Sequence, residues 1–169
     1  SLLVGAIMTF IALPFLTRLY SINDFGQYGV ALAFVSVLST VANLRLDQAL
    51  LVAKPEHQKS LIFESSVFSL LFSVLAAGII GFIYDAEMAV AIAFGVFANT
   101  LIQSVYNYKF ANKAEVFCAG LNIFRSLIVV AVQLSLPFIF TINLINSYSV
   151  SSLVMIIVLL VYVLTQRLY

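Results

Sequence analysis

Apolar runs of 15 to 23 residues recur along this chain, and most of its charges fall between them. A run of ~20 apolar residues, rising ~1.5 Å per residue as a helix, crosses ~30 Å of hydrocarbon. Of the 169 residues, 63% are hydrophobic and 9% charged. A water-soluble domain carries ~45–50% and ~25%, and has no interior large enough to hide the excess. The runs do not alternate with period two, as barrel strands do, so helices are the spanning elements. The expected fold is an all-α membrane protein, a six-transmembrane-helix bundle forming one domain over residues 1–169. The predicted spans are about residues 2–16, 25–44, 61–83, 88–105, 119–140 and 148–164. The first is short and begins directly after Ser1, with no charged leader before it. The expectation is therefore a fragment cut inside or just before its first helix.

Positive charge orients such a bundle. Arg45, Lys54, Lys59, Lys109, Lys113 and Arg167 lie in the predicted loops 45–60 and 106–118 and in the tail. Arg125 sits within the fifth span, toward the same side. Only Arg18 falls on the other face. The split predicts that the N-terminus and loops 45–60 and 106–118 are cytoplasmic.

The same composition excludes several classes of function. A net charge of +1 without a basic patch gives no footprint for nucleic acid. One cysteine (Cys118) and one histidine (His57) supply neither a disulfide nor a metal cluster, so no cofactor is expected. No paired carboxylates, phosphate-cradling loop or nucleophile–base set appears, and the chain is read as a non-enzyme.

Polar groups at membrane depth are costly and need a reason. On the fifth span Asn122, Arg125, Ser126 and Gln133 fall within about a third of the helix circumference. On the fourth, Asn99, Gln103 and Tyr106 form a second stripe. Each stripe has two open readings, interhelical hydrogen bonding or the lining of a wet cavity. Arg45 closes the second span, with Asp47 two residues on and facing elsewhere. The candidate binding residues are Arg45, Arg125, Asn99, Gln103, Asn122 and Gln133.

The first corner, Ala12 to Gly29, holds the candidate gating or interface residues Pro14, Arg18, Asp24, Gly26 and Gly29. Pro14 is placed to kink the first helix. Arg18 and Tyr20 are placed to anchor its end at the headgroups. Ser21 and Asp24 have the spacing of a capping box that starts the next helix at about Ile22. Gly26 and Gly29 are read as points of close helix approach.

The stretch Leu13-Pro-Phe-Leu-Thr-Arg-Leu-Tyr-Ser-Ile-Asn-Asp-Phe-Gly-Gln-Tyr-Gly29, followed by a helix ending in Leu44-Arg-Leu-Asp-Gln-Ala-Leu-Leu-Val-Ala53, resembles the N-terminal signature of polysaccharide biosynthesis membrane proteins. These are the Wzx-type O-antigen flippases of the multidrug/oligosaccharidyl-lipid/polysaccharide exporter superfamily, which typically read LP-x-LTRLY-x-x-x-DFG-x-Y there. Residues 106–114 also resemble a family segment, with Asn107-Tyr-Lys where Asn-Arg is more usual. The resemblance implies the N-terminal lobe of a two-lobe exporter, its C-terminal lobe lying outside this sequence. It further implies translocation of a lipid-diphosphate-linked oligosaccharide, an O-antigen or capsular repeat unit, across the bacterial inner membrane by alternating access. The implied partners are that cargo, membrane lipid, the second lobe and the glycan polymerase machinery. Arginine suits phosphate geometry, which makes Arg45 and Arg125 candidates for loading. Two alternatives stand beside this reading: a drug/cation antiporter of the same superfamily, which would favour an acidic cavity, and a non-transport scaffold of glycan assembly.

Overall fold

The computed structural model describes residues 2–44, 46–112, 114–139 and 143–167. These form seven helices: α1 (Leu2–Leu19), α2 (Ile22–Ala42), α3 (Leu46–Val52), α4 (Pro55–Ile83), α5 (Ala86–Ala111), α6 (Glu115–Ile139) and α7 (Leu144–Arg167). No strand occurs among the described residues. Among the described residues five helices, α2 and α4 to α7, are long and apolar enough to cross a membrane. That is consistent with a multi-pass membrane protein. Within α1, Phe10–Leu19 is a shorter apolar stretch.

The predicted spans coincide with six of these helices, but the helices run further. α5 continues through Ala111 and α6 begins at Glu115, so most of the expected loop 106–118 is helix. The expected loop 45–60 holds all of α3 and the first turns of α4. Counting apolar residues finds the part of a helix that suits hydrocarbon, whereas the backbone ladder continues into polar turns beyond it. Pro55 starts α4 from the first turn, after an extended Lys54.

The Ser21–Asp24 box is formed in full. The Asp24 amide donates to Ser21 Oγ at 3.2 Å, and the Ser21 amide donates back to Asp24 Oδ2 at 3.0 Å. α2 therefore starts at Ile22, as its cap dictates. At its other end Asn43 caps the helix and Leu44 takes φ 43°. That left-handed turn, at a position glycine usually fills, costs a leucine ~1–2 kcal/mol. It swings the chain straight into α3.

α5 is the hub. It packs against α2, α3, α4, α6 and α7, and 61% of its span is buried, against 11% for α6. Gly95 lets α5 approach closely: a Cβ there would lie 2.8 Å from both Tyr148 Oη and Val35 Cγ2. Ser65, Ser69 and Ser73 lie along one face of α4 at four-residue intervals, and all three are buried. Ser65 bonds Ser104 at 3.1 Å and Asn43 at 2.8 Å, and Ser69 bonds Thr100. Small hydroxyl residues allow close packing and supply hydrogen bonds where leucine could supply neither.

The second layer is α1 on α6, with α6 on α7. Here Tyr20 corrects the expected headgroup anchor. It is buried, donates to the Gln133 carbonyl at 2.9 Å and bonds Ser147 at 3.0 Å. A ring with one polar atom costs little to bury once that atom is satisfied, and here two partners satisfy it. α1 runs through Pro14, and α6 through Pro137. Gly26 and Gly29 face open space, with nothing within 4 Å of an added Cβ. The close approach expected of them falls on Gly95 instead.

Candidate functional site

The last two turns of α2 present Ser36, Ser39, Thr40 and Asn43 at positions i, i+3, i+4 and i+7, one face of a helix. That face meets Asn99, Thr100 and Gln103 of α5 and Gln48 of α3. Together these eight side chains line a cavity of about 280 Å³. All eight are polar and none is charged. In a chain with 63% hydrophobic residues, this is where uncharged hydrogen-bonding groups converge.

Part of this set is tied down. Asn99 Nδ2 donates to Ser39 Oγ at 3.0 Å, while the Ser36, Ser39 and Thr40 hydroxyls donate to carbonyls one turn back. Gln48 and Gln103 are exposed, and their amides make no hydrogen bond to described residues. The cavity thus has a fixed floor and two free amides at its rim. The rim lies at the α2–α3 corner, the end where the predicted positive charges gather.

Asn99 also lines a second, much smaller space of about 20 Å³, shared with Arg125, Tyr148, Ser151 and Ser152. That volume admits a single water. Because α6 begins at Glu115, Arg125 stands ten residues along it, ~15 Å from its start and close to mid-span. It is half-buried and lines that space beside Tyr148, whose ring meets the Tyr28 ring edge-on at 5.5 Å. Among the described residues it has no carboxylate partner. Asn99 therefore stands between an uncharged cavity and an unneutralised guanidinium.

The remaining predicted residues separate from this pair. Gln133 is buried and donates from Nε2 to Tyr28 Oη at 3.2 Å. It joins α6 to α2. Asn122 is half-buried one turn from Arg125 and lines neither space; its carbonyl accepts from Ser126 at 3.1 Å. Arg18 is exposed in the last turn of α1, where a cation complements the helix dipole. Gly26 lines an opening of about 420 Å³ at the opposite end, beside Asp85 and Glu87. Arg45 lies outside the described residues.

Sequence reasoning passed over Ser36, Ser39, Thr40, Asn43, Gln48 and Thr100. Serine and threonine are cheap in apolar helices because they bond their own backbone, so a search for costly groups ignores them. Their signal was the helical spacing of four polar residues in α2. Every buried polar side-chain atom among the described residues has a partner. No protein-family model, curated protein or solved structure matches the chain.

Proposed function

We propose that the chain is a lobe of an integral membrane flippase of the polysaccharide biosynthesis family. It moves a lipid-diphosphate-linked oligosaccharide between the leaflets of a bacterial inner membrane by alternating access. The observation that carries this reading is Arg125, a mid-span guanidinium without a carboxylate among the described residues, joined through Asn99 to an uncharged polar cavity. A cation at membrane depth without a counter-ion is costly unless an anion arrives to meet it. A diphosphate is such an anion, and arginine grips phosphate oxygens in pairs. The hydroxyls and amides beyond Asn99 suit the neutral hydroxyls of a sugar. About 280 Å³ falls just below the ~300–1,000 Å³ of complete small-molecule sites, so a second lobe would form the facing wall.

In the source cell, Arg125→Gln in the full-length protein should abolish surface glycan and leave lipid-linked repeat units on the cytoplasmic leaflet, at unchanged protein level. Arg125→Lys should retain part of the activity. Normal glycan display by Arg125→Gln would overturn the reading.

A further inference from the structure

A groove of about 320 Å³ runs between α6 and α7, away from the polar cavity. Phe117, Gly120, Leu121 and Phe124 form one wall, and Leu159 and Tyr162 line the other. Its lining is almost wholly apolar. Gly120 keeps it open, because nothing lies within 4 Å of where a Cβ would stand. At one end Phe117 and Tyr162 stack at 5.1 Å, and Lys109 Nζ sits 5.4 Å from each ring centre. Tyr108 adds a third ring at 5.9 Å. No carboxylate among the described residues pairs with Lys109.

We propose that this groove binds an anionic phospholipid, one acyl chain lying along α6 and α7 and the phosphate meeting Lys109. The argument is charge complementarity at the mouth of an apolar slot. The aromatic rings fix the ammonium in place instead of leaving it to wander, and cation–π contact leaves its N–H donors free for phosphate oxygens. An apolar slot with a cation at its end matches an acyl chain and its phosphate. Lys109 lies in the last turn of α5, at the end whose loops carry most of the positive charge, the side on which anionic lipids gather. The site rests on membrane embedding and is independent of the cargo proposed above.

The chain has no tryptophan, so one introduced residue becomes the sole indole emitter. Phe124→Trp places it in the groove, and Val74→Trp places it on the exposed face of α4 as a reference. The full chain, reconstituted in phosphatidylcholine vesicles, is titrated with brominated-chain phosphatidylglycerol or brominated phosphatidylcholine. The anionic lipid should associate about five-fold more strongly at Phe124→Trp, the effect of one lysine at the headgroup. Val74→Trp should show no preference. Lys109→Gln should remove the preference, Lys109→Arg should keep it, and Gly120→Leu, which fills the slot, should abolish it. Equal association of the two lipids at Phe124→Trp, or a preference that survives Lys109→Gln, would overturn the site. So would its erasure by millimolar inorganic phosphate, which marks a soluble-anion site. Absence of quenching at both reporters would refute embedding itself. Native mass spectrometry of the protein without an added tryptophan checks the same point: anionic lipid should stay bound, and Lys109→Gln should lose it. Equal retention by both proteins would refute the assignment.

Discussion

α5 and α6 each carry a polar stripe of the same apparent kind, and the structure uses the two differently. On α5, Asn99 and Gln103 open onto a shared cavity because that helix is surrounded by others whose own hydroxyls face it. On α6, most of whose described residues are only half-buried, the stripe divides. Gln133 is consumed in holding Tyr28, and Arg125 lines a small space beside Tyr148. The lesson is that a polar stripe announces an inward face, while the neighbouring helices decide whether that face is glue or lining.

The contrast can be broken most forcefully at glycine. Gly95→Ala on α5 should destabilise the bundle by ~1–3 kcal/mol, because its Cβ overlaps Val35 and Tyr148. Gly120→Ala on α6 should instead be neutral or gain up to ~1 kcal/mol, since its Cβ meets open space. Unfolding of the two variants in detergent, followed by circular dichroism, checks the pair. Similar losses at both positions would erase the distinction between hub and periphery.

A smaller effect separates the amides. Gln133→Leu leaves the Tyr28 hydroxyl without its donor and should cost ~1–3 kcal/mol. Gln103→Leu, at the exposed rim, should cost under ~0.5 kcal/mol. Their unfolding midpoints compare the two directly. Accessibility gives a third measure. A water-soluble thiol reagent should label Gln103→Cys about ten-fold faster than Gln133→Cys, a difference of ~1.4 kcal/mol in exposure. Equal rates would mean that both stripes line water, or that neither does.

The smallest expected effect is a pH limit. Burial raises the Tyr20 hydroxyl above its ordinary 10.0, the Ser147 hydrogen bond opposes this, and the Asp24 charge adds to it. A raised folded-state value means that its contribution is complete below about 10 and lost as pH climbs through the folded value. Alkaline titration should therefore unfold the wild type earlier, relative to its neutral-pH stability, than Tyr20→Phe. Parallel curves would remove Tyr20 from the account.

Much of this architecture was legible. Span positions follow from apolar length, and the start of α2 follows from the Ser21–Asp24 spacing, because caps are local chemistry. Arg125 stood out because charge at depth is expensive. α3 was hidden because seven residues give too short a period to read, and only Leu44 turning left-handed places them against α5. Tyr20 was misjudged because sequence alone cannot distinguish a ring facing headgroups from one facing Ser147. The α2 hydroxyl face was overlooked because no single member of it costs enough to attract notice.

The bond from Tyr20 to Gln133 joins residues 113 positions apart, between the end of α1 and the last quarter of the chain. Ribosomes add ~5–20 residues per second, so α1 spends roughly 6–23 s made but unmated. During that interval its inward edge, Ala12, Leu16 and Tyr20, has neither Gln133 nor Ser147 to meet. Until that part of the chain is made, the apolar edge of the first helix has no partner from α6 or α7 to cover it. A chain stalled before residue 133 would present that edge to any quality-control protease.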